Sequence, residues 1–182
     1  MNATHKLNAI EAAVQRLTVV GINFVAVDFD YTMIDIHTGG RWGGSADELL
    51  SHIRPEFRQL LPALLQNEIC VAVVTFSPQV AMVQRVLETI VGSDLVGRIP
   101  IRGGDKSWTY NGGGAKAGKQ AHMASAVEEL EQSGEVQITR ATTVLIDDDA
   151  NNVRHALSNG VRGIWLNTEK PHHLLRELKK LV

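Results

Sequence analysis

The sequence predicts an α/β protein, a doubly wound sheet of five parallel strands. Three observations carry this expectation. Short apolar runs alternate with amphipathic helical stretches along the chain, the pattern of repeated strand–helix–strand units. The clearest run, Ile69-Cys70-Val71-Ala72-Val73-Val74, is continuously apolar, as strands buried on both faces are. Two runs end abruptly in carboxylates, at Asp28-Phe29-Asp30 and at Asp147-Asp148-Asp149. Strand carboxyl ends are where open α/β sheets bind ligands.

Each element has its own signal. In the N-terminal segment 1–23, residues 8–20 read as a helix. Asn8 is its candidate cap, and Ile10, Ala13, Val14 and Leu17 recur at helical spacing. Gly21 and Asn23 break that pattern before the strand at Phe24-Val25-Ala26-Val27. Residues 33–44 end in Thr38-Gly39-Gly40-Arg41-Trp42-Gly43-Gly44 and read as a flap, because glycines permit tight reversals. Arg41 and Trp42 are candidate substrate contacts, with Trp42 equally readable as an anchor for the loop. Ser45 caps a short helix with Asp47 and Glu48 in its first turn. Pro55 opens the next, whose Leu60, Leu61, Leu64 and Leu65 form a core face. The second strand leads to Thr75-Phe76-Ser77-Pro78, where Ser77 caps and Pro78 starts a helix to Val91, stopped by Gly92. A weaker strand follows at Arg98–Ile101, then a glycine-rich surface loop over 103–118. A helix is expected over Lys119–Gln132, a strand over Arg140–Ile146, a helix over Ala150–Asn159 and the last strand over Val161–Leu166. Pro171 begins the closing helix.

The 182 residues contain no internal repeat or linker, so a single domain, 1–182, is expected. A net charge of −2 gives no electrostatic footprint for nucleic acid, though local basic groups suffice for a phosphorylated substrate. Cys70 is the only cysteine and sits in an apolar run, so it reads as buried, and no internal disulfide framework exists. No apolar stretch is long enough for a membrane span, and the N-terminus lacks a signal-peptide pattern. A cytoplasmic or nuclear protein is the expectation.

The chemistry concentrates at the strand ends. Asp28 and Asp30 leave their strand on one side if strand geometry persists that far. Asp147, Asp148 and Asp149 repel one another and are poorly tolerated near a core without a cation. Two acidic strand ends in one domain point to a shared hard cation, and Mg²⁺ fits because it takes oxygen ligands. Thr75, Ser77 and the helix start behind them form a ready phosphate site. One decoy is discarded. Gly113-x4-Gly118-Lys119-Gln120 nearly matches a nucleotide-binding phosphate loop, but Gln120 stands where Ser or Thr should hold Mg²⁺, and no apolar strand precedes it.

Taken together, these residues resemble the haloacid dehalogenase superfamily of phosphatases. Asp28-Phe29-Asp30-Tyr31-Thr32 looks like its first motif, Thr75 its second, Lys119 with Met123 and Val127 behind it its third, and Asp147-Asp148-Asp149 with Asn152 its fourth. The resemblance spans 24 to about 167, in the right order. It implies a Mg²⁺-dependent phosphoric monoester hydrolase with Asp28 as nucleophile, forming an aspartyl-phosphate. Asp30 becomes the general acid and then the base. Thr75 and Lys119 hold phosphoryl oxygens. Mg²⁺ binds Asp28, the Asp30 carbonyl and an acid of the fourth motif, which the motif spacing places at Asp148 with Asn152 as its partner. Asp147 then orients Lys119 or a metal-bound water, and the two aspartates are interchangeable in these roles. Lys116 competes with Lys119 but lies within the glycine loop. Superfamily members that act as dehalogenases lack the second aspartate, so Asp30 implies phosphoryl transfer.

Superfamily caps are inserted after the first motif or between the second and third. Here those spans are filled by helices, the flap, a strand and the glycine loop, so no separate cap domain is expected. Among capless members, Asp28-x-Asp30-Tyr31-Thr32, Lys119-x-x-His122-Met123 and Asp147-Asp148 to Asn152 are similar to the magnesium-dependent phosphatase-1 subfamily. An open site suits a phosphoprotein or a phosphorylated sugar adduct. A small substrate needs closure by the flap, the glycine loop or a neighbouring subunit, with Trp42, Trp108 and Tyr110 as candidate walls and His37 as a further contact. The alternatives are phosphotransfer to another acceptor and a regulatory module that has lost turnover.

Overall fold

The computed structural model describes residues 3–182, and the side chains of all of these except 3–8 and 133. Five parallel strands form one sheet in the order β3-β2-β1-β4-β5. They are β1 (Phe24–Val27), β2 (Cys70–Val74), β3 (Ile101–Arg102), β4 (Thr143–Asp147) and β5 (Arg162–Trp165). β1 lies centrally and pairs in register with both β2 and β4, Val27 facing Val73 on one side and Ile146 on the other. The chain winds outward through β2 and β3, then returns across β1 to add β4 and β5. The strand order therefore reverses beside β1, and a ligand crevice belongs at that reversal.

Alternate strand residues feed two cores, as a pleated sheet covered on both faces requires. Val25, Val27, Val71, Val73, Val144 and Ile146 pack toward the helices α1 (Ala3–Val19), α3 (Pro55–Gln66), α4 (Val80–Val91) and α8 (Leu174–Lys179). Phe24, Ala26, Ala72, Val74 and Leu145 pack toward α6 (Gln120–Leu130) and α7 (Ala150–Ser158). The sheet is thus doubly wound, with the larger core on the first face. Two short helices complete the chain, α2 (Ala46–Leu50), with Ser45 Oγ accepting from the Glu48 N–H, and α5 (Ser93–Val96).

Several boundaries differ from the sequence expectation. The first helix begins by Ala3, so Asn8 is interior to it and not its cap. α4 begins at Val80, so Ser77 and Pro78 remain in the preceding loop. The reason is local. Gly103 and Gly104 dock against that loop, the Gly104 N–H donates to Ser77 O at 2.9 Å, and a Cβ on Gly104 would come within 2.4 Å of Phe76 O. The loop is held extended by this packing and cannot coil into the helix. β3 is shorter than expected and shifted to Ile101–Arg102, and Arg140–Thr142 forms a single tight turn before β4. Cys70 is half-buried at the start of β2.

Candidate active site

The carboxyl ends of β1, β2 and β4 open into one cleft of about 640 Å³. Asp28, Asp30, Thr75, Ser77, Lys119, Asp147, Asp148 and Arg41 all line it. Of the residues singled out from sequence, Trp42 is off the cleft. Its ring packs on the larger core and edge-on to His52, and its indole N–H donates to Ser45 O at 3.0 Å. These contacts fasten the flap to the body of the protein.

Asp28 follows β1 directly. Its N–H donates to Ile146 O at 2.9 Å, which extends the β1–β4 ladder by one rung and aims the carboxylate at the cleft floor. Lys119 stands at the residue preceding α6 and donates to Asp28 Oδ1 at 2.8 Å. Its side chain is 1% exposed, and its ammonium lies 3.7 Å from the centre of the Phe76 ring. The enclosed ammonium thus has a carboxylate on one side and an aromatic face on the other. Lys116 is exposed on the glycine loop, near the Tyr110 ring.

Strand geometry stops before Asp30. Tyr31 takes φ +56°, the left-handed region that side chains adopt at a cost, and the Ile34 N–H closes the turn on Phe29 O. The turn is held from outside by buried Arg54, whose guanidinium donates to Tyr31 O at 2.9 Å. Asp30 is thereby delivered to the flap edge of the cleft. Thr38 donates to both of its oxygens, from N–H at 2.8 Å and from the hydroxyl at 3.1 Å.

One carboxylate oxygen from each of Asp28, Asp147 and Asp148 lies within 4.8 Å of the others. Asp30's carboxylate is not in that group. Asp147 is 1% exposed. It accepts from the Asp149 N–H at 2.9 Å and from Asn152 Nδ2 at 3.1 and 3.0 Å. Asn152 therefore partners Asp147, where the motif spacing had paired it with Asp148. Asp148 is tied to Thr32 instead. The Thr32 hydroxyl donates to Asp148 Oδ1 at 3.1 Å and accepts the Asp148 N–H at 3.0 Å. Burial raises the pKa of Asp28, with Lys119 opposing it. Burial, then the nearby Asp28 charge, pushes Asp147 up to about 7. Burial also raises Asp148. Three carboxylates facing one ammonium are an electrostatic deficit that a cation relieves, so the donor set fits a hard, oxygen-seeking metal ion.

The second strand supplies the opposite wall. Thr75 is buried and its hydroxyl accepts the Ser77 N–H at 3.1 Å. Phe76, which the sequence reading left without a role, is 58% exposed and lines the cleft. An aromatic directly after an apolar strand reads as core, so no sequence signal marked it. His37 also lines the cleft, as do Asp149 and Pro78. Trp108 and Tyr110 do not. Trp108 packs at a tilt against His122, which also meets Phe76 edge-on, and Tyr110 closes the glycine loop by donating to Gly113 O. The flap is latched over the second-strand loop. Gln79 Oε1 accepts the Trp42 N–H at 2.6 Å and Gln79 Nε2 donates to Trp42 O at 3.0 Å, while a Cβ on Gly40 would come within 2.9 Å of Pro78.

No protein-family model and no curated protein sequence matches the chain. Among solved structures, an uncharacterized protein from Corynebacterium glutamicum superposes with a TM-score of 0.51 at 22% identity, over 89% of this chain and 98% of that one. The HAD domain of the effector protein Lem4 from Legionella pneumophila, an inactive mutant, matches with a TM-score of 0.49 at 16% identity, over 86% and 92%. The Corynebacterium likeness is one of fold. No helix among the described residues is long and apolar enough to cross a membrane.

Proposed function

We propose that the protein is a capless phosphatase of the haloacid dehalogenase type, hydrolysing a phosphomonoester with Mg²⁺ through an aspartyl-phosphate on Asp28. The observation that supports this most is the Asp28 carboxylate, bonded to enclosed Lys119 and grouped with Asp147 and Asp148 at the sheet's reversal point. Asp28, Asp147 and Asp148, with the Asp30 carbonyl, would hold the ion. Bound there, Mg²⁺ offsets the charge between carboxylate and phosphoryl group.

The remaining chemistry belongs to the chain. An Asp28 oxygen attacks phosphorus while the bond to the leaving oxygen breaks. Asp30 gives that oxygen its proton, then removes one from water as the water attacks the aspartyl-phosphate, releasing inorganic phosphate and restoring Asp28. The Thr75 and Ser77 hydroxyls and the Lys119 ammonium orient the phosphoryl oxygens. In this cycle Asp30 acts from the grip of Thr38, which holds its carboxylate at the flap edge of the cleft. Phosphoproteins and sugar phosphates are the substrate classes an open cleft of this size admits, and the single cysteine suits the cytoplasm.

Two measurements test the reading. Purified protein should release phosphate from p-nitrophenyl phosphate with Mg²⁺ and not with EDTA. A folded, Mg²⁺-binding protein that hydrolyses neither this ester nor a panel of phosphopeptides and sugar phosphates would overturn the reading in favour of a non-catalytic module. Thermal melting provides the second test. In the metal-free fold Asp147 holds its proton up to about 7, against an ordinary 3.8, so the stability its protonated form contributes is complete below 3.8 and lost as pH rises through about 7. Mg²⁺ must displace that proton, so the Mg²⁺-induced rise in Tm is small near pH 5 and grows toward pH 8. At a hundred-fold excess over Kd it reaches about 5–10 °C. His122, kept neutral by burial with a pKa of about 4, contributes to both melts alike and drops out of the difference. A Mg²⁺ effect that shrinks toward pH 8 would remove these carboxylates as ligands.

A further inference from the structure

We propose that Trp165 is a positioning residue for the acidic cluster, acting on its cation affinity through the peptide group that joins Asp148 to Asp149. This rests on the metal-binding reading above. Trp165 is the last residue of the edge strand β5, opposite Asp147 in register. It is 53% exposed, so burial of its ring does not account for its placement. Its indole N–H donates to the Asp148 carbonyl oxygen at 2.7 Å. The other end of that same peptide group, the Asp149 N–H, donates to Asp147 Oδ1 at 2.9 Å. In a trans peptide the C=O and N–H point in opposite directions within one plane, so holding one end fixes the other. An exposed indole and the most deeply buried carboxylate of the cluster thus grip opposite ends of a single rigid unit.

The arrangement has a second consequence for Asp148. Its own N–H and carboxylate are held by Thr32 from the β1 side, and its carbonyl by Trp165 from the β5 side. The residue is braced from both sides, and one of its carboxylate oxygens lies within 4.8 Å of those of Asp28 and Asp147. Hydrogen bonds in series polarise one another, so the indole also strengthens the N–H donor that Asp147 receives. Remove the indole N–H and the carbonyl turns to water. The plane is then free to rock, and two of the three carboxylates lose their alignment.

The test is calorimetric titration of Mg²⁺ into the protein and into Trp165→Phe, which keeps an aromatic ring and removes the donor. Groups that orient metal ligands typically set affinity by ten-fold or more, so Trp165→Phe should bind Mg²⁺ about 10-fold more weakly. Its metal-free Tm should stay within about 2 °C of the parent, as for other exposed substitutions. Affinities equal within a factor of about two overturn the proposal, as does a large fall in metal-free Tm accompanying the weaker binding, which would mark a general loosening of β5. Absence of any Mg²⁺ heat in the parent protein overturns the metal reading itself, a different failure from equal binding in the two proteins.

Discussion

Asp28→Asn is expected to lower turnover by at least about 10⁴-fold while leaving the fold standing. An amide has the shape of a carboxylate but no oxygen able to attack phosphorus. The backbone bond from the residue 28 N–H to Ile146 O is untouched, so the β1–β4 ladder persists. Two opposing effects decide stability. Lys119 loses its ion pair, which costs, but the amide oxygen can still accept from its ammonium. The lost carboxylate was itself held above its ordinary pKa by burial and contributed to the raised pKa of Asp147. Relief of that repulsion offsets much of the loss, so circular dichroism and melting should stay close to the parent. Turnover retained in a correctly folded Asp28→Asn protein would eliminate the covalent mechanism.

Lys119→Met should produce the largest change in stability. Methionine matches the lysine stem in length and fills the same space under Phe76. What disappears is the single ammonium facing Asp28, with Asp147 also feeling its field. Removing one partner of a buried pair costs about 3–5 kcal/mol because the other charge is left uncompensated. For a chain of this size that is a fall in Tm of about 6–20 °C in EDTA. Mg²⁺ should restore part of it, since a divalent cation compensates the same carboxylates, whereas activity should stay low because the phosphoryl contact is gone. Lys116→Met, on the exposed loop, should change neither. A Lys119→Met protein melting with the parent in EDTA would show that the carboxylates are not an electrostatic deficit.

The three inner strands β1, β2 and β4 were legible in the sequence because strands buried on both faces leave an apolar run, whereas the edge strands β3 and β5 carry Arg102 and Arg162 and left a weaker mark. The acidic strand ends were legible for a related reason, since a buried strand ending in several carboxylates has few bland explanations. What could not be read were contacts made between loops. Ser77-Pro78 looks like a helix start, and only the docking of Gly103 and Gly104 shows why the chain stays extended there. Asn152 was placed on the right helix turn, but which aspartate it serves depends on how β4 ends, not on spacing. Trp42 presented two readings, and the choice between them lies with Gln79, a residue whose type signals nothing. Phe76 directly follows an apolar strand and Trp165 sits within the expected last strand, so neither stood out, although both are more than half exposed.

The Gln79 latch also makes one side chain into a ruler. Its amide offers an acceptor and a donor to the two polar groups of the Trp42 backbone, copying a rung of a β-ladder without a strand. Glutamate has the reach but no donor, asparagine has both groups but is one methylene short, and lysine lacks the acceptor. The height of the flap above the second-strand loop, and with it the width of the cleft's mouth, is therefore graduated in single carbon atoms at position 79.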